Sequence, residues 1–346
     1  MVTLDHSFFM RLAIDEAWRY QLLTYPNPAV GSVVVGFNGE LLSINAHQEA
    51  SKAHAEVLSI RDAYVKLSGD YELAKCDDAH TLHRELPKRA GALFSQATIY
   101  TTLEPCSHVG KTPACANLIS KLKFKRVVIG ARDLNPKASG GIECLKNSKI
   151  DIIVGVEKDA CEVLIEPFLK WQTKRFVFFK LAESINGVIN GGVISCENSR
   201  AWVHKVRDKI DLLIIGANTV RVDRPILDSR LIDGKAPDVA ILTNNSDKID
   251  KTIPLFKVPN RKVDFINSIS SLPKNALIMV EGGPKTLQAL QNEIDWMVLF
   301  IAPFAKEGNC YKSKQNFELL HQRKVGSDAM LWLKSTNSFA DIQKSY

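Results

Sequence analysis

The chain has 346 residues, 45% hydrophobic, 24% charged and 8% aromatic, which is about two domains' worth of ordinary globular composition. No apolar run approaches the roughly 18 residues of a membrane span, and the composition excludes collagen-like and disordered chains. Its 45 lysines and arginines against 38 acids leave a charge of +7 without a dense basic run, so a phosphorylated small molecule explains the surplus as well as nucleic acid does.

In chain order, Phe9, Leu12, Ala13, Ala17 and Tyr20 recur at helical spacing, and Val33 to Phe37 with Leu41 to Ile44 predict a hairpin across Asn38-Gly39. His54 opens a second helical pattern. Asp62 to Ala90 is polar and short of periodicity, and predicts a solvated surface insertion. Ala97 to Leu103 reads as a strand, Thr112-Pro113 as the N-cap and first residue of a helix through Leu122, and Val127 to Ala131 as a buried strand. Glu157 to Lys174 predicts a connecting helix. Beyond it, strands are expected at 176–182, 212–216, 239–243, 276–280, 297–302 and 330–333, so both halves are α/β.

Seven scattered cysteines, an odd number, suggest thiols or metal ligands in a reducing compartment, and the start at Met1 to Asp5 has no basic and apolar leader, so a cytoplasmic location is expected. His54, Cys106 and Cys115 offer one imidazole and two thiolates, a soft set that suits tetrahedral Zn²⁺ and leaves a fourth position for water. Such an ion makes hydroxide available near neutral pH. Glu56, two residues after His54, is poorly placed as a ligand but well placed to shuttle a proton. Cys115 falls in the first turn of the helix after Thr112, where its thiolate is favoured. Histidine-x-glutamate followed by proline-cysteine is the arrangement of zinc nucleobase deaminases, although here eight residues separate the cysteines instead of two. Cys76, His80 and His83 lack a nearby fourth ligand and read as part of a solvated loop rather than a second metal site.

The segment from Thr102 to Cys115, TLEPCSHVGKTPAC, closely resembles the bifunctional riboflavin-biosynthesis deaminase/reductase family. Pro26-Asn27-Pro28-Ala29-Val30-Gly31, His47, Asp133-Leu134-Asn135-Pro136 and Gly140-Gly141 follow the same pattern in register. The resemblance implies a three-layer α/β/α cytidine-deaminase-like domain over residues 1–160, with the insertion at about 62–90. A connecting segment at 161–174 leads to a dihydrofolate-reductase-like α/β domain at 175–346. It implies that Asn27 and His47 lie beside a diaminopyrimidine ring and that Lys111, Asp133 and Asn135 face a ribose phosphate.

In the second half, Lys180 to Gly187, Val206-Arg207, Gly216 to Val220, Asp223 to Leu227, Arg230 and Glu281 to Thr286 resemble the family's NADPH-dependent reductase. The resemblance assigns cofactor binding to Thr219, Asp223, Gly282, Gly283, Pro284, Lys285 and Thr286. Substrate binding falls to Arg207, Leu227, Arg230 and Glu281, guanidinium groups being natural phosphate ligands. Two features depart from the family: Asn186 stands where aspartate is usual, and Gly191-Gly192-Val193-Ile194-Ser195 is short and lacks a tryptophan. The expected partners are phosphorylated pyrimidines, with no nucleic acid and no membrane; homo-oligomerisation stays open. The rival readings are a deaminase with a degenerate reductase domain, a nucleic-acid deaminase, and a zinc-stabilised scaffold.

Overall fold

The computed structural model describes residues 5–108, 110–135, 140–311 and 315–336; Val109 and Pro136 of the motifs above lie outside them. The chain divides into two compact units, Met1–Phe168 and Leu169–Tyr346. In the first, α1 (His6–Trp18), β1 (Gly31–Val35), β2 (Leu41–Ala46), α2 (Ala55–Ser68) and α3 (Ala79–Arg89) are followed by β3 (Thr98–Leu103), α4 (Cys115–Lys121), β4 (Arg126–Ala131), α5 (Gly141–Asn147) and β5 (Asp151–Val154). The sheet order is β2-β1-β3-β4-β5, antiparallel across β2-β1-β3 and parallel across β3-β4-β5.

Strand alternation sorts this sheet's side chains into two helical layers. Val34, Ile99 and Val127, paired across β1, β3 and β4, share a core with residues of α2 to α5. Their neighbours turn the other way, where Tyr100 meets His6 and Phe9 of α1. The α1 stripe is completed by Met10, Ile14 and Trp18, all buried, while Asp5 caps its first turn through the Phe8 amide.

The expectation of a solvated loop over 62–90 is corrected. α2 continues to Ser68 and ends on Gly69 in the left-handed conformation, and α3 buries Leu82 and Leu86 in the same core as Leu73 and Phe94. Three apolar positions on an otherwise charged 11-residue helix make a stripe too narrow to register as a period. The predicted cap at Thr112 is corrected as well: α4 begins at Cys115 with Ala114 as its N-cap, and no side chain caps it.

A long helix, α6 (Lys158–Thr173), contains the division between the units. Then come β6 (Arg175–Ser184), α7 (Glu197–Lys209), β7 (Leu212–Gly216), α8 (Ala217–Asp223), β8 (Asp238–Leu242), β9 (Val263–Ile266), β10 (Ala276–Glu281), α9 (Pro284–Leu290), β11 (Trp296–Ala302), β12 (Asn316–Val325) and β13 (Asp328–Thr336). The eight strands lie in the order β12-β13-β11-β6-β10-β7-β8-β9. They are parallel from β11 to β9, and antiparallel at β13 and β12. Val177, Phe179, Ile214, Ile278 and Val280 pack with Leu287 and Leu290 of α9 on one face. Trp296, Trp332 and Trp202 stack edge to face with Phe176 or with one another on the other. Sequence reading missed β5, β9 and β12. The first two have four residues each, and much of β12 is exposed at the sheet edge, so none shows a full apolar alternation.

Candidate active sites

In the first unit the site forms where three segments meet at one side of the sheet. His54 is the N-cap residue of α2, Cys106 follows the end of β3, and Cys115 opens α4. Nδ1 of His54 stands 3.7 Å from Cys106 Sγ and 3.4 Å from Cys115 Sγ, and all three ligand atoms lie within 4.8 Å of one another. A tetrahedral ion with Zn–S near 2.3 Å and Zn–N near 2.0–2.1 Å would put sulfur and nitrogen about 3.6 Å apart, so the residues fit zinc. Nε2 of His54 faces the Thr112 hydroxyl at 3.2 Å, an outer contact of the kind that orients a ligand imidazole. Among the described residues this is the one His/Cys/Asp/Glu cluster suited to a metal. Cys76, His80 and His83 form none; His80 Nε2 instead meets the Lys111 carbonyl at 3.1 Å.

The thiols do not share their proton as expected. The Cys115 side chain donates to Cys106, whose thiol is also lowered by His54 and by the Cys115 amide, which reaches its sulfur at 3.4 Å. Cys115 is pushed well up by that same hydrogen bond and by complete burial. That difference belongs to the metal-free thiols; holding zinc, both sulfurs would be thiolates.

Glu56, in the first turn of α2, is only 4% exposed, and burial is the largest influence raising its carboxyl. His47 is packed at the His54 ring with centroids 5.2 Å apart; burial, then His54, lowers it to about 4, so it is neutral. Its Nε2 accepts from Asn27 Nδ2 at 3.0 Å and its Nδ1 donates to the Ala53 carbonyl. Lys111 is exposed, and Asp133 and Asn135 are partly buried on the loop after β4.

Sequence reading missed Glu104, which holds that loop. Its buried carboxylate accepts from Gly140 at 3.1 Å, from Ile142 at 3.0 Å and from Asp133 at 3.4 Å. Gly141 is needed there, since a Cβ would sit 1.8 Å from the Pro105 carbonyl oxygen. The signal was present in Leu103-Glu104-Pro105, where an acid stands between the end of β3 and the ligand Cys106.

The second unit gathers Arg207, Glu281, Lys180 and Asp228. Arg207 Nη2 and Nε donate to Glu281 Oε1 at 2.7 and 3.2 Å, its Nη1 donates to the Asp228 carbonyl at 3.2 Å, and Lys180 Nζ lies 3.9 Å from Glu281 Oε2. Burial pushes the Glu281 carboxyl up, but Arg207 and Lys180 outweigh it and hold the group below its ordinary value. Arg230 is exposed and pairs with the Asp228 carboxylate at 2.5 Å; Leu227 is buried. Asp228 and Lys180 went unassigned in the sequence, although Lys180 opens one quoted segment and Asp228 directly follows another.

A cavity of about 420 Å³ opens beyond the carboxyl ends of β7, β8 and β9 and the start of α9. Gly216, Asn218, Arg221, Thr243, Lys285 and Thr286 line it. Such crevices in parallel sheets are where nucleotides bind, and Arg221 and Lys285 supply cations for phosphate. A Cβ on Gly216 would come within 2.2 Å of Thr286 Oγ1, so the bare backbone is what lets the strand end and helix meet. The residues fit a nucleotide cofactor. Of the expected set, Lys285 and Thr286 line the cavity and Gly282 to Pro284 form the turn leading into α9, whereas Thr219 and Asp223 lie on α8 outside the lining. Asn218 and Arg221 were missed because α8 presents them at a spacing that only the strand-end geometry makes meaningful.

Asn186 has a structural task here. Its Nδ2 donates to the Lys306 carbonyl at 2.9 Å while its Oδ1 accepts from Ser184 Oγ at 2.7 Å, and a carboxylate could not make the first bond.

Two family models match the chain: the "Cytidine and deoxycytidylate deaminase zinc-binding region" over residues 4–131 and the "RibD C-terminal domain" over 175–328. The riboflavin biosynthesis protein RibD of Aquifex aeolicus is 30% identical over 85% of this chain and 86% of its own, and that of Actinobacillus pleuropneumoniae is 28% identical over 95% and 91%. Among solved structures, Acinetobacter baumannii RibD (25% identity, TM-score 0.64) covers 96% of this chain and 99% of its own. The Thermotoga maritima diaminohydroxyphosphoribosylaminopyrimidine deaminase/5-amino-6-(5-phosphoribosylamino)uracil reductase (26%, 0.64) covers 95% of this chain and 98% of its own.

Proposed function

This chain belongs to the RibD family of riboflavin-biosynthesis enzymes, which join a zinc-binding deaminase to a reductase, and from that premise we propose how its own residues divide the two reactions. The first unit, taken as the deaminase domain 1–160, deaminates 2,5-diamino-6-ribosylamino-4(3H)-pyrimidinone 5′-phosphate. The second, 175–346, reduces the ribosyl group of the product to a ribityl chain with NADPH. The carrying observation is the ligand triangle of His54, Cys106 and Cys115 with the buried carboxyl of Glu56 beside it.

Zinc, when bound, makes hydroxide available as the nucleophile near neutral pH. Glu56 takes one proton of the incoming water and passes it to the departing amino nitrogen, so ammonia leaves neutral; the water's other proton ends on the adjacent ring nitrogen, and the attacked carbon becomes a carbonyl. Asn27, braced by the neutral His47, reads the polar edge of the pyrimidine. Lys111, Asp133 and Asn135 hold the ribose phosphate, on loops that His80 and Glu104 pin from behind.

NADPH, when bound, supplies the hydride. Lys285, Thr286 and the Gly282–Pro284 turn would hold it with Asn218 and Arg221 of the cavity wall, Thr219 and Asp223 reaching it from α8 beyond that wall, while Arg207, Leu227, Arg230 and Glu281 would hold the sugar phosphate. Positioning two reactants is most of the protein's task in such a transfer. Free nucleotides rather than nucleic acid are the substrates, on the strength of the phosphate-binding second unit. The reactions run in the cytoplasm, consistent with seven free thiols, and no described helix is long and apolar enough to cross a membrane.

A second reading, a deaminase whose second unit is silent, draws on Asn186 and the short Gly191-Gly192 segment. Supplying the free pyrimidine tests the first activity by ammonia release. Supplying the deaminated product with NADPH tests the second by loss of nicotinamide absorbance. Consumption of NADPH supports the bifunctional reading, and none at saturating NADPH overturns it in favour of the silent domain.

A further inference from the structure

Leu227 adopts φ 59°, a left-handed backbone that side chains other than glycine and asparagine resist, and it does so while buried. Strain of this kind persists only where neighbouring groups impose it, and it concentrates at ligand-holding sites. The imposing group is Arg261, on the segment that leads into β9. Its Nη1 donates to the Leu227 carbonyl at 2.8 Å, and its Nη2 donates to the Ile226 carbonyl at 2.7 Å and the Leu255 carbonyl at 2.6 Å.

One guanidinium thus gathers two consecutive carbonyls of the loop and ties them to the turn at Pro254–Lys257. The next residue, Asp228, is where the two other arginines attach, Arg207 to its carbonyl and Arg230 to its carboxylate. Arg261 itself has no acid within salt-bridge distance among the described residues, and its Nε is buried without a hydrogen-bond partner. A cation held in a partly buried place by carbonyls alone is there for the backbone it organises. Burial lowers its pKa to about 10, which leaves it charged at neutral pH.

We propose that Arg261 is a positioning residue for the reduction: it fixes the strained Ile226-Leu227-Asp228 backbone and thereby sets Arg207 and Arg230 to grip the sugar phosphate. The inference rests on the reading above that these residues hold the reductase substrate. Lysine is a poor substitute, because an ammonium lacks the planar fork that reaches three carbonyls in fixed directions.

The test uses the full-length zinc-loaded enzyme and Arg261→Lys, with Arg261→Gln as the second variant should lysine prevent folding. KM for 5-amino-6-(5-phosphoribosylamino)uracil should rise about tenfold or more while kcat stays within about threefold, the signature of lost substrate positioning rather than lost chemistry. NADPH affinity, read by nucleotide fluorescence, and ammonia release should not change. Amide hydrogen exchange should quicken over residues 226–230 and not across the rest of the second unit. Unchanged KM and exchange would overturn the proposal, and so would a parallel loss of NADPH binding with general loss of protection, which marks a merely structural role. If the unaltered enzyme consumes no NADPH, the reductase reading falls, and exchange alone then decides: opening confined to 226–230 sustains the hold of Arg261 on the loop, and no opening refutes it.

Discussion

Glu56 and Cys106 sit in the same pocket and should fail differently. Cys106→Ala removes one of three ligands, and metal analysis should find most of the zinc gone; full retention would remove Cys106 from the ligand set. Glu56→Gln keeps the shape and loses the proton carrier, so zinc should stay while ammonia release falls by a factor on the order of 10² or more. Arg207 bears on stability as well as on substrate. Glu281 has its carboxyl held below the ordinary 4.5, so the folded state gains from it above that pH and loses the gain as acid titrates the folded group. With Arg207→Ala the sign reverses: burial, the largest influence on Glu281, is opposed mainly by Lys180 at 3.9 Å, and the carboxyl rises. Leaving that charge short of its partner should cost about 3–5 kcal/mol at neutral pH. Thermal melts of the variant should therefore recover on acidification from pH 7 toward 5, where the unaltered protein does not; a constant difference across that range would count against the linkage.

At the scale of elements, α3 and the turn before it decide more than their polar sequence suggests. The Asp77 carbonyl accepts from the Ala53 amide beside His54, the Cys76 carbonyl accepts from Arg61 of α2, and Leu73, Leu82 and Leu86 enter the core. Burying such side chains is worth roughly 1.5–3 kcal/mol each, more than a long loop costs to close. Replacing residues 70–90 by a short glycine-serine link should thus yield insoluble protein or a chain without zinc. A soluble variant with full metal content would show that the segment is dispensable after all. Legibility followed periodicity here: β1, β3, β7 and β10 have nearly every residue buried and were readable, while β5, β9 and β12 carry their pairing on the backbone and left little trace in residue type.

For the molecule as a whole, each unit has its own sheet and core, and the metal ligands all belong to the first. Chelation of zinc should abolish ammonia release and leave NADPH consumption with supplied deaminated product close to its starting rate. A proportional loss of both would mean that the second unit depends on the metal of the first.

The order His54-x-Glu56, Pro105-Cys106, Cys115 was enough to point to zinc, and the Thr102–Cys115 segment to the family, because zinc chemistry restricts residue type and the intervals between ligands are written in the chain. The glycine-rich end of β10 was legible for the same reason: close backbone approach admits few residues. Which sulfur the Cys115 amide reaches, what Thr112, Glu104 and Asn186 do, and that Arg261 belongs to a loop 34 residues earlier were decided only by the fold. Those roles consist of hydrogen bonds to backbone amides and carbonyls, or of burial beside residues distant in sequence. Every residue type offers the same backbone groups, so no pattern of side chains announces such partners before the strands are paired.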